Sequence, residues 1–272
     1  MSLPSFPIAD DPGPDFAALA RRAGLTQPLA GSVGSAPFEV THGTTCVAVR
    51  YAEGVVMAGD RRATSGNLIS HRHIEKVFPA DRHSGVAIAG AAGPAVEMVR
   101  LFQLQLEHYE KVEGSPLSLE GKANQLSQMV RNHLPAAMQG FVVVPIFAGF
   151  DTARRSGRLY QYDPTGGRYE ELDFASTGSG SLQASTVIKL GYWLDMDRDS
   201  TVDLVLRALF EAADEDSATG GPDLIRNIFP VVATITADGF DRVGDDDLRR
   251  RFESIVDQLR TDRGGIESGG LS

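Results

Sequence analysis

Residues 42–62 read HGTTCVAVRYAEGVVMAGDRR, and the character of the chain changes inside this stretch. Thr44–Tyr51 and Gly54–Asp60 are runs of β-branched, small and apolar residues. Ala52-Glu53-Gly54 between them supplies turn chemistry, so the stretch predicts two strands joined as a hairpin. The chain before Thr44 is of another kind, rich in Pro, Gly, Ala and Ser. It predicts one short helix, with Asp15 as N-cap, Phe16, Leu19 and Ala20 within it, and Gly24 as the stop. The rest, TQPLAGSVGSAPFEVTHG (26–43), is linker-like. Composition alone makes residues 1–43 a disordered tail in front of a folded domain that begins at Thr44.

Outward from the hairpin, NLISHRHIEKVFPA (67–80) predicts extended chain and SGVAIAGAAG (84–93) a buried strand ending in small residues. Pro94 suits the first turn of a helix reaching about Glu113, with Met98, Leu101, Phe102, Leu106 and Tyr109 at helical spacing. A second helix begins near Ser118 and ends near Pro135. FVVVPIFAGF (141–150) and GRLYQYD (157–163) predict strands, and GGRYEELDFAS (166–176) continues the sheet. Helices follow at about 181–193 and 200–214, a strand in IFPVVATITADG (228–239), and a last helix over about 245–260. The tail from 261 to 272 predicts disorder. No regular strand–helix alternation runs through this order. It therefore predicts antiparallel sheets packed with helices, a layered α+β domain, and not a doubly wound parallel sheet.

The 272 residues are 42% hydrophobic and 23% charged, enough for one globular domain with a sizeable core. Twenty-six basic against 36 acidic residues give a formal net charge of −10, which argues against nucleic acid or an anionic membrane surface as partner. Cys46 is the single cysteine, so no intrachain disulfide can form, and a reducing, cytoplasmic location is expected. The sequence shows neither a secretory signal nor an apolar run long enough to span a bilayer.

Several patterns suggest cofactors and fall short. His71 and His73 would share one face of a strand, but two ligands without a Cys pair do not make a zinc site. DMDRDS (195–200) opens like a calcium loop, yet it has Ser200 where the tight turn needs Gly and Leu206 where a bidentate Glu is required. It predicts a solvated turn between helices. Gly178-Ser179-Gly180-Ser181 precedes a helix, but no Gly-Lys-Ser/Thr follows and Gln183 occupies the third-Gly position of a dinucleotide fingerprint. No metal and no cofactor are expected. Cys46 reads as a small buried apolar residue.

The opening stretch allows more. Were the chain cut between Gly43 and Thr44, Thr44 would carry both a hydroxyl and a free α-amine. An α-amine has a reference pKa of ~7.7–8.0 and can accept a proton near neutrality, directly or through water. Such a site gains from a fixed cation, an acid to hold the cation, and a backbone N–H as oxyanion donor. Lys76, Asp60 and Gly90 are the right residue types. On these residues alone, a buried Asp–Lys pair in an ordinary sheet is the favoured reading.

Taken together, GTTCVAVRYAEGVVMAGDRRATSGNLIS, KVF, GVAIAGAAG, TGSGS and EDSATGGPD resemble, in order and spacing, the β-subunits of the 20S proteasome, most closely the actinobacterial type. The resemblance runs from Gly43 to about Ala237. It implies a four-layer αββα sandwich of the N-terminal-nucleophile hydrolases. It implies that residues 1–43 are a propeptide removed by self-cleavage at Gly43–Thr44, leaving a catalytic domain over 44–260. By motif it makes Thr44 the nucleophile, Asp60 the acid that orients the lysine, Lys76 the tuning lysine and Gly90 the oxyanion donor. Ser179 matches the serine near the α-amine and Asp216 the second acid. Thr219 stands where the eukaryotic pattern has Ser and keeps the hydroxyl. Cys46 stands where Ile or Val is usual.

An S1-type pocket of Ala63, Thr64, Ile74, Phe78, Ile88 and Ala92 implies cleavage after hydrophobic residues. The resemblance also implies α- and β-subunits in stacked seven-membered rings, a regulatory ring ATPase acting through the α-ring, and unfolded proteins as substrates. The helices around 94–113 and 118–134 carry apolar faces broad enough for a core and a ring-to-ring contact, with FQLQLEHYEKVEG (102–114) as the polar, solvent-side stripe. Two other readings remain: a non-catalytic structural ring subunit, and a subunit of the simpler bacterial two-component ATP-dependent threonine protease.

Overall fold

In the computed structural model, strands β1 (Thr45–Tyr51) and β2 (Gly54–Gly59) form the expected hairpin, with Cys46 opposite Gly59 and Tyr51 opposite Gly54. The structure describes residues 44–267, with side chains to Thr261; the expected helix at Asp15–Gly24, the segment 1–43 and the tail from 268 lie outside the described residues. Every residue of the two strands except Arg50 is buried. Strands covered on both faces need no polar alternation, which explains the continuous apolar runs. The side chains still alternate in direction with period two. Val47 and Val49 face one core with Ile188, Leu209 and Phe252, whereas Cys46 and Ala48 face another with Ile146, Leu159 and Ala233.

The hairpin lies within a sheet ordered β10-β1-β2-β11-β12, in which β10 is Phe174–Gly178, β11 is Val231–Thr236 and β12 is Gly239–Arg242. A second sheet is ordered β5-β6-β7-β8-β9, built from Val77–Asp81, Ser84–Gly90, Val143–Asp151, Ser156–Tyr162 and Arg168–Glu171. All neighbouring strands in both sheets are antiparallel. A separate hairpin pairs β3 (Ala63–Ser65) with β4 (Leu68–His71). The two sheets face each other across small side chains, among them Cys46, Ala48, Ala87, Ala148 and Ala233. Small residues let the sheets approach without voids.

Helices cover both outer faces. Helices α1 (Ala92–Glu113) and α2 (Leu119–Ala137) supply Phe102 and Leu126 to a core completed by Phe147 and Tyr160 of the second sheet. Helices α3 (Ser181–Gly191), α4 (Arg198–Glu215) and α5 (Asp245–Glu267) pack on the first sheet through Ile188, Leu209 and Phe252. The caps follow ordinary chemistry. Ser118 Oγ accepts the Gly121 N–H at 3.1 Å to start α2, and Gly114 ends α1 at φ 70°. Asp197 caps α4 by accepting the Ser200 N–H at 2.8 Å, so the calcium-like DMDRDS is a helix start. The order of layers is helix, sheet, sheet, helix, as the resemblance implied.

Three details differ from the sequence reading. GGRYEELDFAS does not continue one sheet: β9 edges the second sheet, while β10 pairs with β1 in the first, so the chain crosses between sheets at Leu172-Asp173. Periodicity reports that a strand exists but not which sheet receives it. Helix α5 runs to Glu267, past the expected limit at 260. Strand β4 ends at His71, so His71 and His73 do not share a strand, and both are exposed.

Candidate active site

The ends of three strands and one extended segment meet where β1 begins. Thr45 opens β1 opposite Gly178, the last residue of β10, and Asp60 follows the end of β2. Lys76 immediately precedes β5, and its carbonyl accepts the Ile88 N–H of β6 at 2.9 Å. Gly90 ends β6 at φ 117°, and a Cβ there would lie 2.0 Å from the Val142 carbonyl oxygen. The strand end therefore requires glycine.

Asp60 is fully buried and Lys76 is 5% exposed. Lys76 Nζ donates to Asp60 Oδ1 at 2.6 Å and to the Arg62 carbonyl at 2.6 Å. Asp60 Oδ1 also accepts the Thr45 N–H, and Oδ2 accepts the N–H groups of Arg62 and Gly220, each at 2.9 Å. A buried ion pair is tolerated when its remaining hydrogen-bonding capacity is satisfied, and four donors meet this carboxylate. Both readings of the Asp–Lys pair from sequence are thus present in one feature: it is buried in the sheet, and it borders the cleft described below.

Two adjacent threonines stand at this end, Thr44 4% exposed and Thr45 not at all. Thr45 is fully buried; its hydroxyl lies 2.6 Å from Thr219 Oγ1 and accepts the Gly180 N–H at 3.0 Å. Thr44 lines a pocket together with Lys76 and Gly90. In the uncut chain the Thr44 nitrogen is a peptide N–H, directed at Ser179 Oγ at 3.4 Å.

Ser179 and Asp216 complete this end. Gly178 stands at φ 103°, and a Cβ there would be 1.7 Å from the Thr44 carbonyl oxygen, so the backbone passes close enough for Ser179 N–H to donate to that oxygen at 2.8 Å. Asp216 Oδ2 accepts the Ser179 and Thr219 hydroxyls at 2.5 and 2.6 Å, and Oδ1 accepts the Ala218 N–H at 3.2 Å. Burial raises the Asp216 pKa, but these three donors and the Arg62 guanidinium outweigh it and hold the carboxyl below its ordinary range. Cys46, two residues from Thr44, is inert: burial, partly offset by Lys76, pushes its thiol up to about 12.

A small pocket opens beside Thr44. Ala63, Ile74, Phe78, Ile88 and Ala92 line it. Thr64 is buried on β3 and does not belong to the lining; the strand's period of two turns it to the other side from Ala63. Sequence reasoning missed Glu75, Ala95 and Val96. The last two were findable, because positions 92, 95 and 96 share one face of a helix. Glu75 is paired to Arg242 at 2.9 Å. Among the described residues no group of three or more His, Cys, Asp or Glu is placed to hold a metal, and no helix is long and apolar enough to cross a membrane.

Comparison with known proteins identifies the family. The family profile of the proteasome subunit matches residues 40–225. A proteasome subunit beta of Acidimicrobium ferrooxidans is 58% identical over 268 residues, covering 97% of this chain and 96% of that protein. Those of Streptomyces griseus and Jonesia denitrificans are each 55% identical, covering 85% and 81% of this chain and 80% and 73% of the relatives. Membership of this family implies a place in rings of α- and β-subunits. The chain belongs to the proteasome subunit family, as a β-type subunit that catalyses peptide-bond hydrolysis.

Proposed function

We propose that Thr44 is the nucleophile of a threonine endopeptidase and that residues 1–43 are a propeptide which silences it. The observation that carries this reading is the sharing of one pocket wall by Thr44, Lys76 and Gly90, with Lys76 held by the buried Asp60. In the precursor the Thr44 hydroxyl attacks the Gly43 carbonyl. The peptide C–N bond breaks, an ester to Thr44 Oγ forms, and water hydrolyses the ester to release residues 1–43 and the α-amine. In the mature chain the amine accepts the hydroxyl proton as Oγ attacks a substrate carbonyl. The Gly90 N–H receives the oxyanion, and the same proton passes to the leaving amine. Water then hydrolyses the acyl ester. The Lys76 ammonium favours both the neutral amine and the developing alkoxide.

Small and apolar walls at Ala63, Ile74, Ile88 and Ala92 suit a hydrophobic residue before the scissile bond. The same reading gives stacked seven-membered rings that enclose the sites, entry of unfolded chains through the α-ring, and a ring ATPase that feeds them. A reducing, cytoplasmic setting suits the lone buried Cys46. A purely structural ring subunit would have no use for the set Thr44, Asp60, Lys76 and Gly90. Peptidase assays on particles carrying Thr44→Ala test the reading: loss of turnover with the chain left uncut is expected, and normal turnover would overturn it.

A further inference from the structure

Hydrogen-bond direction within the buried hydroxyls beneath Thr44 can be deduced by counting protons. Asp216 is an acceptor only when ionised, and its Oδ2 takes the Thr219 proton at 2.6 Å and the Ser179 proton at 2.5 Å. Thr219 has one hydroxyl proton, so across the 2.6 Å contact with Thr45 it must accept. Thr45 in turn must accept from the Gly180 amide at 3.0 Å, since an amide N–H can only donate. The chain therefore runs one way: Gly180 N–H to Thr45 hydroxyl, to Thr219 hydroxyl, to the Asp216 carboxylate. With its own proton also on Asp216, Ser179 Oγ turns a lone pair toward the Thr44 nitrogen at 3.4 Å.

Thr45 is linked to both acids of the site, to Asp60 directly and to Asp216 through Thr219. Its N–H donates to Asp60 Oδ1 at 2.9 Å and its carbonyl accepts the Asp60 N–H at 3.1 Å, while its hydroxyl reaches Asp216 through Thr219. Space for this is built into the turn. A Cβ at Gly180 would come within 2.6 Å of Thr45 Oγ1 and 2.8 Å of Thr219 Oγ1, so only glycine admits both hydroxyls. Thr45 and Thr219 are both fully buried, and every polar atom in the chain has a defined partner. Linked hydrogen bonds of this kind polarise one another and hold a single arrangement.

We propose that Thr45 is a positioning residue for the reaction: its hydroxyl donates to Thr219 and so supports Asp216 as the acceptor of both the Thr219 and the Ser179 protons, which leaves Ser179 offering Thr44 a lone pair and not a proton. The charges facing Asp216 are the Arg62 guanidinium and, after processing, the Thr44 amine. The inference rests on Thr44 as nucleophile and adds a function for the second threonine of the pair.

The test compares Thr45→Val, which keeps the shape and loses the hydroxyl, with Thr45→Ser, which keeps the hydroxyl and loses a methyl. Both are measured in assembled particles with a fluorogenic peptide. Thr45→Val is expected to lower kcat at least tenfold with KM within twofold, or to leave assembled particles uncut; Thr45→Ser is expected to restore processing and at least half of the parent kcat. A kcat within twofold of the parent in Thr45→Val overturns the proposal, as does equal damage from Thr45→Ser. If Thr45→Val fails to assemble, Thr219→Val breaks the same chain at its other end. A matching fall in kcat then supports the proposal, and an unchanged kcat overturns it. Failure of the nucleophile assignment itself reads differently: the parent would then lack a chain beginning at Thr44, whatever the Thr45 variants do.

Discussion

At the scale of single residues, the sequence offers two adjacent threonines, and the proposal takes Thr44 because it lines a pocket together with Lys76 and Gly90. Thr44→Ser retains a hydroxyl and loses a methyl, so particles carrying it should be cut and partly active in a fluorogenic peptide assay. Lys76→Ala should abolish turnover although Thr44 is intact, because it removes the cation and leaves Asp60 a buried charge without its ion partner. Losing one partner of a buried pair costs about 3–5 kcal/mol, so a lowered melting temperature of the isolated chain should accompany lost activity. Lys76→Arg should not rescue, since a planar fork cannot occupy the site of a compact ammonium bonded to both Asp60 and the Arg62 carbonyl. Turnover near the parent level in either lysine variant would remove Lys76 from the mechanism.

Asp216 carries a pH signature. Its folded pKa lies below the ordinary value, so its ionised form contributes stability above the unfolded pKa of ~3.9, and that contribution fades as pH falls through the lower folded pKa. The stability gap between the parent and Asp216→Asn should therefore be steady above about pH 5 and close in stronger acid, as read from melts of the isolated chain.

At the scale of elements, most of the strands and helices were legible because their period is local. The hairpin 45–59, the helix before Glu113 and the cap at Ser118 follow from residues within a few positions of each other. What was not legible depends on distant pairing. Glu171 and Phe174 look like one strand in sequence, but β9 pairs with the neighbouring β8 while β10 pairs with the distant β1 in the other sheet. Lys76, Asp60 and Gly90 were recognisable as residue types, while their meeting depends on two sheets converging. The pocket gained Ala95 and Val96 from helix α1 because that helix starts at Ala92, two residues before Pro94. It lost Thr64 because alternation along β3 points it away. Helix α1 thus forms one wall of the pocket proposed to set specificity. Ala92→Phe should fill it and shift cleavage from large toward small residues before the scissile bond, with assembly intact; an unchanged preference across a peptide panel would contradict this placement.

At the scale of the whole molecule, the layered fold places helices on two opposite outer faces, and both carry apolar side chains the single chain does not cover. Leu104 is 61% and Val112 66% exposed on α1, so the expected polar stripe over 102–114 is interrupted. Leu182 and Leu190 of α3, with Trp193 and Leu194 just beyond it, are also exposed. Several large exposed apolar side chains on these helices of a chain of net charge −10 suit faces that meet other subunits. The isolated precursor should accordingly remain uncut and inactive, and co-expression with a matching α-subunit should bring assembly and processing together, as followed by size exclusion with light scattering.

The central claim is that the whole apparatus serves one threonine freed by one cut. Intact mass of this chain taken from assembled, active particles measures it most directly. The account predicts a chain that begins at Thr44. A chain that still begins at Met1, or one that begins at Thr41 or Thr45, in particles that hydrolyse peptides would contradict it.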